Sequence, residues 1–169
     1  DELLATLQET LMLGVDCTVD VDWQEWAAAT DKRGYNDRVG EIVNEYLKNF
    51  VSNLQGHCKD EMIRDTIAAQ FTTGVVQYAL VDKKVCNYCA AALEEGNVVI
   101  QVNKEAVYSN VGECGNANFI KTLQSDSGLT LKASVNIKDT QEKRDELLAT
   151  LQETLMLGVD CTVDVDWQE

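Results

Sequence analysis

The chain has 169 residues, 45% of them hydrophobic, and a formal net charge of −15. This composition is typical of a globular rather than a disordered protein, and the excess of acidic side chains disfavours nucleic acid as a partner. No run of about 18 apolar residues occurs, so we expect no insertion into a membrane. The sequence contains none of the common nucleotide-binding, hydrolase or protease motifs, and it predicts neither a cofactor nor a catalytic residue.

The chain begins with a 25-residue segment, DELLATLQETLMLGVDCTVDVDWQE, that recurs unchanged at residues 145–169. The offset of 144 residues between the copies is the size of a domain. We therefore interpret residues 26–169 as one unit of a tandem array and residues 1–25 as a duplicated helix–strand segment. A single globule has only one place for this segment, so one copy should be displaced or shared with a neighbouring unit.

The two copies of the segment differ in what precedes them. Before the second copy, Asp139 is a suitable N-cap for a helix at 140–157, whereas the first copy starts inside the equivalent helix without a cap. We therefore expect the chain to come from a longer array, with the second copy in its own globule and the first copy displaced or bound to a neighbour. An engineered duplication is the alternative. The residues assigned to packing between units are Leu3, Leu7, Leu11, Trp23 and Trp26.

The strand pattern of the repeated segment lies at residues 15–23, where apolar and polar side chains alternate. A strand with one buried and one solvated face has this pattern. Its polar face carries Asp16, Asp20 and Asp22, which we interpret as a solvated surface that resists aggregation. Calcium bridging between units stays open as an alternative, although carboxylates on one strand are about 7 Å apart and do not surround an ion.

After the repeated segment, hydrophobic periodicity and turn residues predict further helices and strands. The predicted helices are 26–34, 37–55 with Asn36 as its N-cap, 59–71 and 85–96. The predicted strands are 74–81, 97–102, 119–123 and 129–137, the last two joined as a hairpin. Together they predict an α+β fold with two layers, in which about four helices pack on one face of a mixed β-sheet.

The C-terminal part of the chain has the pattern of one β-α-β stretch. It consists of strand 129–137, helix 140–157 and strand 159–167. If the two strands share a sheet, they are parallel and joined by a right-handed crossover. No linker rich in Gly, Ser or Pro separates the units, so successive units should be rigidly coupled.

The chain contains six cysteines, five of them in a single unit once the repeat is removed. This density favours an oxidising compartment, so we expect an extracellular or secreted protein. The candidates for disulfide bonds are Cys58, Cys86, Cys89 and Cys114. Cys17 and its copy Cys161 are then expected as free thiols or as an inter-unit bridge.

Two other chemistries are open for the cysteines. Cys86 and Cys89 form a CxxC pair after a predicted strand, where a following helix would lower the first thiol's pKa, as in thiol–disulfide oxidoreductases. Against this, the chain contains no proline, whereas such sites usually include a cis-proline. Together with Cys58, Cys114 or His57 the pair could bind zinc, but only one CxxC is present where a zinc ribbon has two.

The repeat is the strongest functional indication in the sequence. We expect a structural or adhesive building block that assembles into an extended fibre or multidomain stalk through shared terminal helix–strand elements. Its partners would be copies of itself, in adjacent repeat units or in neighbouring chains. A thiol–disulfide oxidoreductase that uses Cys86 and Cys89 is the alternative.

Overall fold

The computed structural model describes residues 2–35 and 37–126. The chain divides into two compact units, residues 1–123 and 124–169, and almost all described residues belong to the first. The described helices are α1 (Glu2–Leu11), α2 (Trp23–Lys32), α3 (Val39–His57), α4 (Glu61–Gln70) and α5 (Ala117–Asp126), with a short 3-10 turn at Val111–Glu113. The described strands are β1 (Thr18–Val21), β2 (Val75–Val81), β3 (Cys89–Glu94) and β4 (Asn97–Asn103).

The four strands form one mixed sheet in the order β1–β2–β4–β3. β1, β2 and β4 run parallel, and β3 is antiparallel to β4. Along β2, Val76 and Tyr78 point towards the helices and are buried, whereas Gln77 points to the opposite face. The Tyr78 hydroxyl donates a hydrogen bond of 3.1 Å to the Val43 carbonyl in α3, which joins the helix layer to the sheet. The predicted two-layer α+β fold is confirmed.

The predicted helix at residues 85–96 is wrong, because this stretch contains β3. Its alanines favour a helix by local propensity, but every residue of β3 pairs with β4 instead. Glu95 and Gly96 make the connecting turn, with φ values of 51° and 83°. Positive φ at both turn residues matches the right-handed twist of a tight hairpin.

The predicted strand at residues 119–123 is also wrong, because these residues belong to α5. Phe119, Ile120 and Leu123 lie on one side of that helix and are buried. A stretch of five residues is too short to show a helical period. The period is recognisable only when the polar residues on both sides are included. The hairpin partner predicted at 129–137 lies outside the described residues, and so does the β-α-β stretch that it begins.

The other elements predicted within residues 2–126 are present, with boundaries that differ by a few residues. Asn36 lies outside the described residues, and α3 begins after Arg38, which makes no side-chain capping bond. The strand predicted at 15–23 is shorter than expected, since only Thr18–Val21 are extended and paired.

The first copy of the repeated segment lies in the core of its own chain, which differs from the expectation that it is displaced. Leu7 and Leu11 are 0% and 1% exposed, and β1 pairs with β2 of the same chain. A missing N-cap costs a helix about 1 kcal/mol. Burial of one leucine side chain contributes about 1.5–3 kcal/mol, which is more than the capping difference on which the expectation relied. Residues 145–169 lie outside the described residues.

Candidate functional site

The repeated segment binds to a surface that the rest of the chain provides. We call this surface the α1–β1 site; it comprises the parts of α3, α4 and β2 that contact α1 and β1. Leu7 and Leu11, four residues apart on one face of α1, are the buried side chains of that helix, and Leu3 is partly buried. These leucines therefore make contacts within a single chain. The sequence had predicted instead that they pack between units.

The strand of the repeated segment is attached to the sheet by its backbone. All four residues of β1 pair in parallel with β2, and the Thr18 N–H donates to the Gly74 carbonyl at 2.9 Å. Gly74 has a φ of 74°, and a Cβ on it would lie 2.5 Å from the Asp16 carbonyl oxygen. The loop before β1 therefore passes so close to the start of β2 that only glycine fits there.

Trp26, which the sequence analysis assigned to packing between units, is instead fully buried in the core. Its ring meets Tyr46 and Tyr78 edge to face, with centroid distances of 5.9 and 5.7 Å. Its Nε1 has no hydrogen-bond partner within the part of the chain that the structure describes. Trp23 is 50% exposed and remains available for a contact with another copy.

Asp22 has a local role that the sequence analysis missed. Its carboxylate accepts hydrogen bonds from the backbone N–H groups of Gln24 and Glu25, at 3.1 and 3.0 Å, and so caps α2. The sequence contained the signal, because an Asp followed three residues later by a Glu resembles a capping box. The strand therefore ends at Val21, one residue before the cap.

The remaining acidic side chains of the strand, Asp16 and Asp20, lie on the surface. Asp20 Oδ2 accepts a hydrogen bond of 3.4 Å from the Gln77 side chain. Among residues 2–35 and 37–126, no three His, Cys, Asp or Glu side chains are placed to hold a metal ion. His57, considered as a zinc ligand, has its Nε2 3.1 Å from the Gly115 carbonyl oxygen. Calcium bridging between two units stays an untested alternative.

An apolar groove runs along the outside of the repeated segment. Its volume is about 420 Å³, and its lining includes Leu4, Ala5 and Gln8 of α1 and Asp16, Cys17 and Val19. Val19 is 40% exposed at the groove, and Val15, just before it, is exposed to the same extent. Because the apolar face of a strand is normally covered, this groove is a candidate contact surface.

Three of the four disulfide candidates lie close together. The Cys89 thiol hydrogen-bonds with the Cys114 thiol, and Cys89 Sγ is 3.4 Å from the Asn110 carbonyl oxygen. The hydrogen bond with Cys89, together with burial, raises the pKa of the Cys114 thiol well above its ordinary value. The described cysteines are free thiols: Cys17, Cys58, Cys86, Cys89 and Cys114. Disulfide bonds between them stay a prediction.

Cys86 and Cys89 are not followed by the helix that the sequence predicted after them. Cys89 is the first residue of β3, so no helix begins at the pair. Burial, and then the neighbouring Cys89, raises the pKa of the Cys86 thiol, whereas catalytic thiols have a lowered pKa. Redox catalysis by this pair stays an untested alternative.

Cys58, the fourth candidate, follows α3 directly and should react slowly with alkylating reagents. Burial raises the pKa of its thiol to about 11, from an ordinary value of 9.0. Because only the thiolate reacts, we expect iodoacetamide at pH 8 to modify Cys58 about tenfold to a hundredfold more slowly in the folded chain than in urea. Peptide mass mapping of the labelled chain measures both rates, and equal rates would contradict the prediction.

Comparison of the chain with protein families, with curated proteins and with solved structures found no match in any of the three. Within the described part of the chain, no helix has the length and apolar character needed to cross a membrane. The fold belongs to the class of two-layer α+β domains.

Proposed function

We propose that the chain is a structural building block of a tandem-repeat protein, and that its copies associate by exchanging the repeated helix–strand segment. In this arrangement residues 145–169 of one chain occupy the α1–β1 site of another chain, where residues 2–25 lie in the structure. One observation carries the proposal: residues 1–25 and 145–169 have the same sequence, and the first segment contributes buried leucines to the core.

The α1–β1 site accepts either copy of the segment, because identical sequences can make identical contacts. A bound segment contributes the buried leucines of α1 and the backbone ladder of β1. An exchange of copies preserves both contributions. In the closed state a chain's first segment occupies its own α1–β1 site, and in the exchanged state the second segment of another chain occupies it. The balance between the two states is therefore set by chain connectivity and protein concentration.

The exchange is directional, because each chain donates residues 145–169 and accepts the donated segment in place of residues 1–25. Contacts of this head-to-tail kind continue from copy to copy unless the rotation between copies closes a ring. The product is an extended fibre or stalk with a structural or adhesive role. A net charge of −15 per chain favours the solubility of such an assembly. A location outside the cell is part of the proposal and rests on the cysteine content alone.

Sedimentation velocity of the full chain, over about a hundredfold range of concentration, tests the proposal. We expect species at whole multiples of 18.8 kDa whose share increases with concentration, and fibres or rods in electron micrographs of the most concentrated samples. A chain that sediments only as a compact 18.8 kDa monomer over the whole range, after long incubation, would refute it.

A further inference from the structure

The sheet has an open edge at the repeated segment. β1 is the first strand in the order β1–β2–β4–β3, and no strand among the described residues pairs with its outer side. The Thr18 N–H points to β2, where it donates to Gly74. Because successive residues of a strand alternate in direction, the backbone groups of Val19 and Val21 point outwards, free to pair with another strand.

The surface next to this edge is apolar and only partly covered. The groove beside it contains side chains of α1, with Leu4 and Ala5 on one side and Val19 on the other. Val19 shares its face of the sheet with Val76, its partner in β2, which is fully buried. The 40% exposure of Val19 therefore agrees with the lack of a described strand on its outer side.

The sequence provides one segment that matches this surface. Residues 129–137 alternate strictly, with Leu129, Leu131, Ala133, Val135 and Ile137 at every second position. This segment directly precedes the helix and strand of the second copy, in the predicted β-α-β order. In that order the usual right-handed crossover would place residues 129–137 parallel to the strand of the second copy, if the two strands share a sheet. That strand has the same sequence as β1, so the same pairing is available to the outer edge of β1.

The charges of the segment and the edge are complementary. β1 and the residues beside it carry Asp16, Asp20 and Asp22 and no basic side chain. The segment carries Lys132 and no acidic side chain, and Lys138 follows it directly. These lysines alternate with its apolar residues, so they fall on the face of the sheet where Asp20 lies, and opposite charges on neighbouring strands attract each other.

We propose that the outer edge of β1 and its groove bind residues 129–137 of a second copy as a fifth, parallel strand. The apolar residues of the added strand cover Val19 and the side chains of α1, and its lysines pair with the acidic face. This inference rests on the proposed function, since it names the second segment through which copies of the chain meet. It adds that the edge can bind this strand without any exchange of residues 1–25.

A synthetic peptide of residues 128–138 tests the edge separately from the exchange, because it lacks residues 145–169. We expect saturable binding of the labelled peptide to the full chain, measured by fluorescence anisotropy, with a lower affinity at high salt. Slower hydrogen exchange at the amides of Val19 and Val21 should accompany binding. The control peptide carries Leu131→Asp and Val135→Asp, and it should not bind.

Two matched variants of the full chain locate the binding. Val19→Lys puts a charge into the groove and should weaken peptide binding at least about tenfold. Val85→Lys changes a valine that is 57% exposed and precedes β3, at the other edge of the sheet, and should leave binding unchanged. Circular dichroism checks that both variants fold.

The outcomes separate the two proposals. If the chain assembles but the peptide does not bind, or binds equally well to Val19→Lys, strand addition at β1 is wrong and the exchange stands. If the peptide binds as expected while the chain stays monomeric at every concentration, the edge inference stands and the exchange is wrong. Failure of both measurements refutes both.

Discussion

Replacing Leu7 and Leu11 with alanine should abolish the folded monomer, whereas the same replacement at Leu151 and Leu155 should abolish assembly and leave the monomer folded. The two pairs occupy equivalent positions in the two copies. Leu7 and Leu11 are 0% and 1% exposed, and each buried Leu→Ala replacement costs about 2–5 kcal/mol. A loss of this size removes most of the roughly 5–15 kcal/mol that stabilises a typical domain.

The reason for the asymmetry lies in which copy can occupy the α1–β1 site. In the Leu7→Ala, Leu11→Ala variant, residues 145–169 of a second chain keep all their leucines and bind more tightly than the altered copy. A difference of about 4 kcal/mol favours the exchanged state by roughly a thousandfold. This variant should therefore fold only as an assembly, even at concentrations where the unaltered chain is monomeric.

Size-exclusion chromatography with light scattering, together with circular dichroism, measures both effects. The two double variants have the same composition and net charge, so each is the matched control for the other. A folded monomer from the Leu7→Ala, Leu11→Ala variant at every concentration would contradict exchange between chains. Undiminished assembly of the Leu151→Ala, Leu155→Ala variant would show that the second copy is not the donor.

The sequence predicted the layers of the fold because periodicity is strong in the long elements. The seven core positions of α3 follow a helical spacing, and β2 and β4 are rich in valine. The prediction from the sequence was wrong at residues 85–96 and 119–123, where the hydrophobic pattern covers only a few residues. In the first of these stretches, alanine propensity competes with pairing to a strand that comes later in the chain, and pairing is stronger.

The sequence could not decide which copy of the repeated segment occupies the core, because identical residues carry no information about their partner. The prediction relied on a capping difference worth about 1 kcal/mol, which is small beside the burial of two leucines. The open edge of β1 was also not visible in the sequence. An alternating strand predicts a covered face, and only the sheet order shows that no strand of residues 2–35 and 37–126 pairs with the outer side of β1.

Trp26→Ala should cost about 3–5 kcal/mol in the free energy of unfolding, the usual range for truncating a fully buried aromatic side chain. The ring packs edge to face against Tyr46 and Tyr78. The Tyr46 hydroxyl accepts a 2.8 Å hydrogen bond from the Tyr108 backbone N–H, and the Tyr78 hydroxyl donates one of 3.1 Å to Val43. Removal of the indole therefore loosens two tyrosines that connect separate parts of the chain.

Two further variants show whether the indole acts through packing alone. Trp26→Phe keeps an aromatic ring and removes the buried Nε1, which has no partner among the described residues, so it should cost clearly less than Trp26→Ala. Trp23→Ala, at a position that is 50% exposed, should change stability by no more than about 0.5 kcal/mol. Urea unfolding followed by circular dichroism gives all three values. A cost for Trp26→Ala no larger than that of Trp23→Ala would show that Trp26 is not an anchor of the core, whereas a Trp26→Ala chain too unstable to fold would agree with that role. The same measurement on the folded assembly and on the monomer distinguishes a residue of the core from one that packs between units, because only the second kind stabilises the assembly more than the monomer.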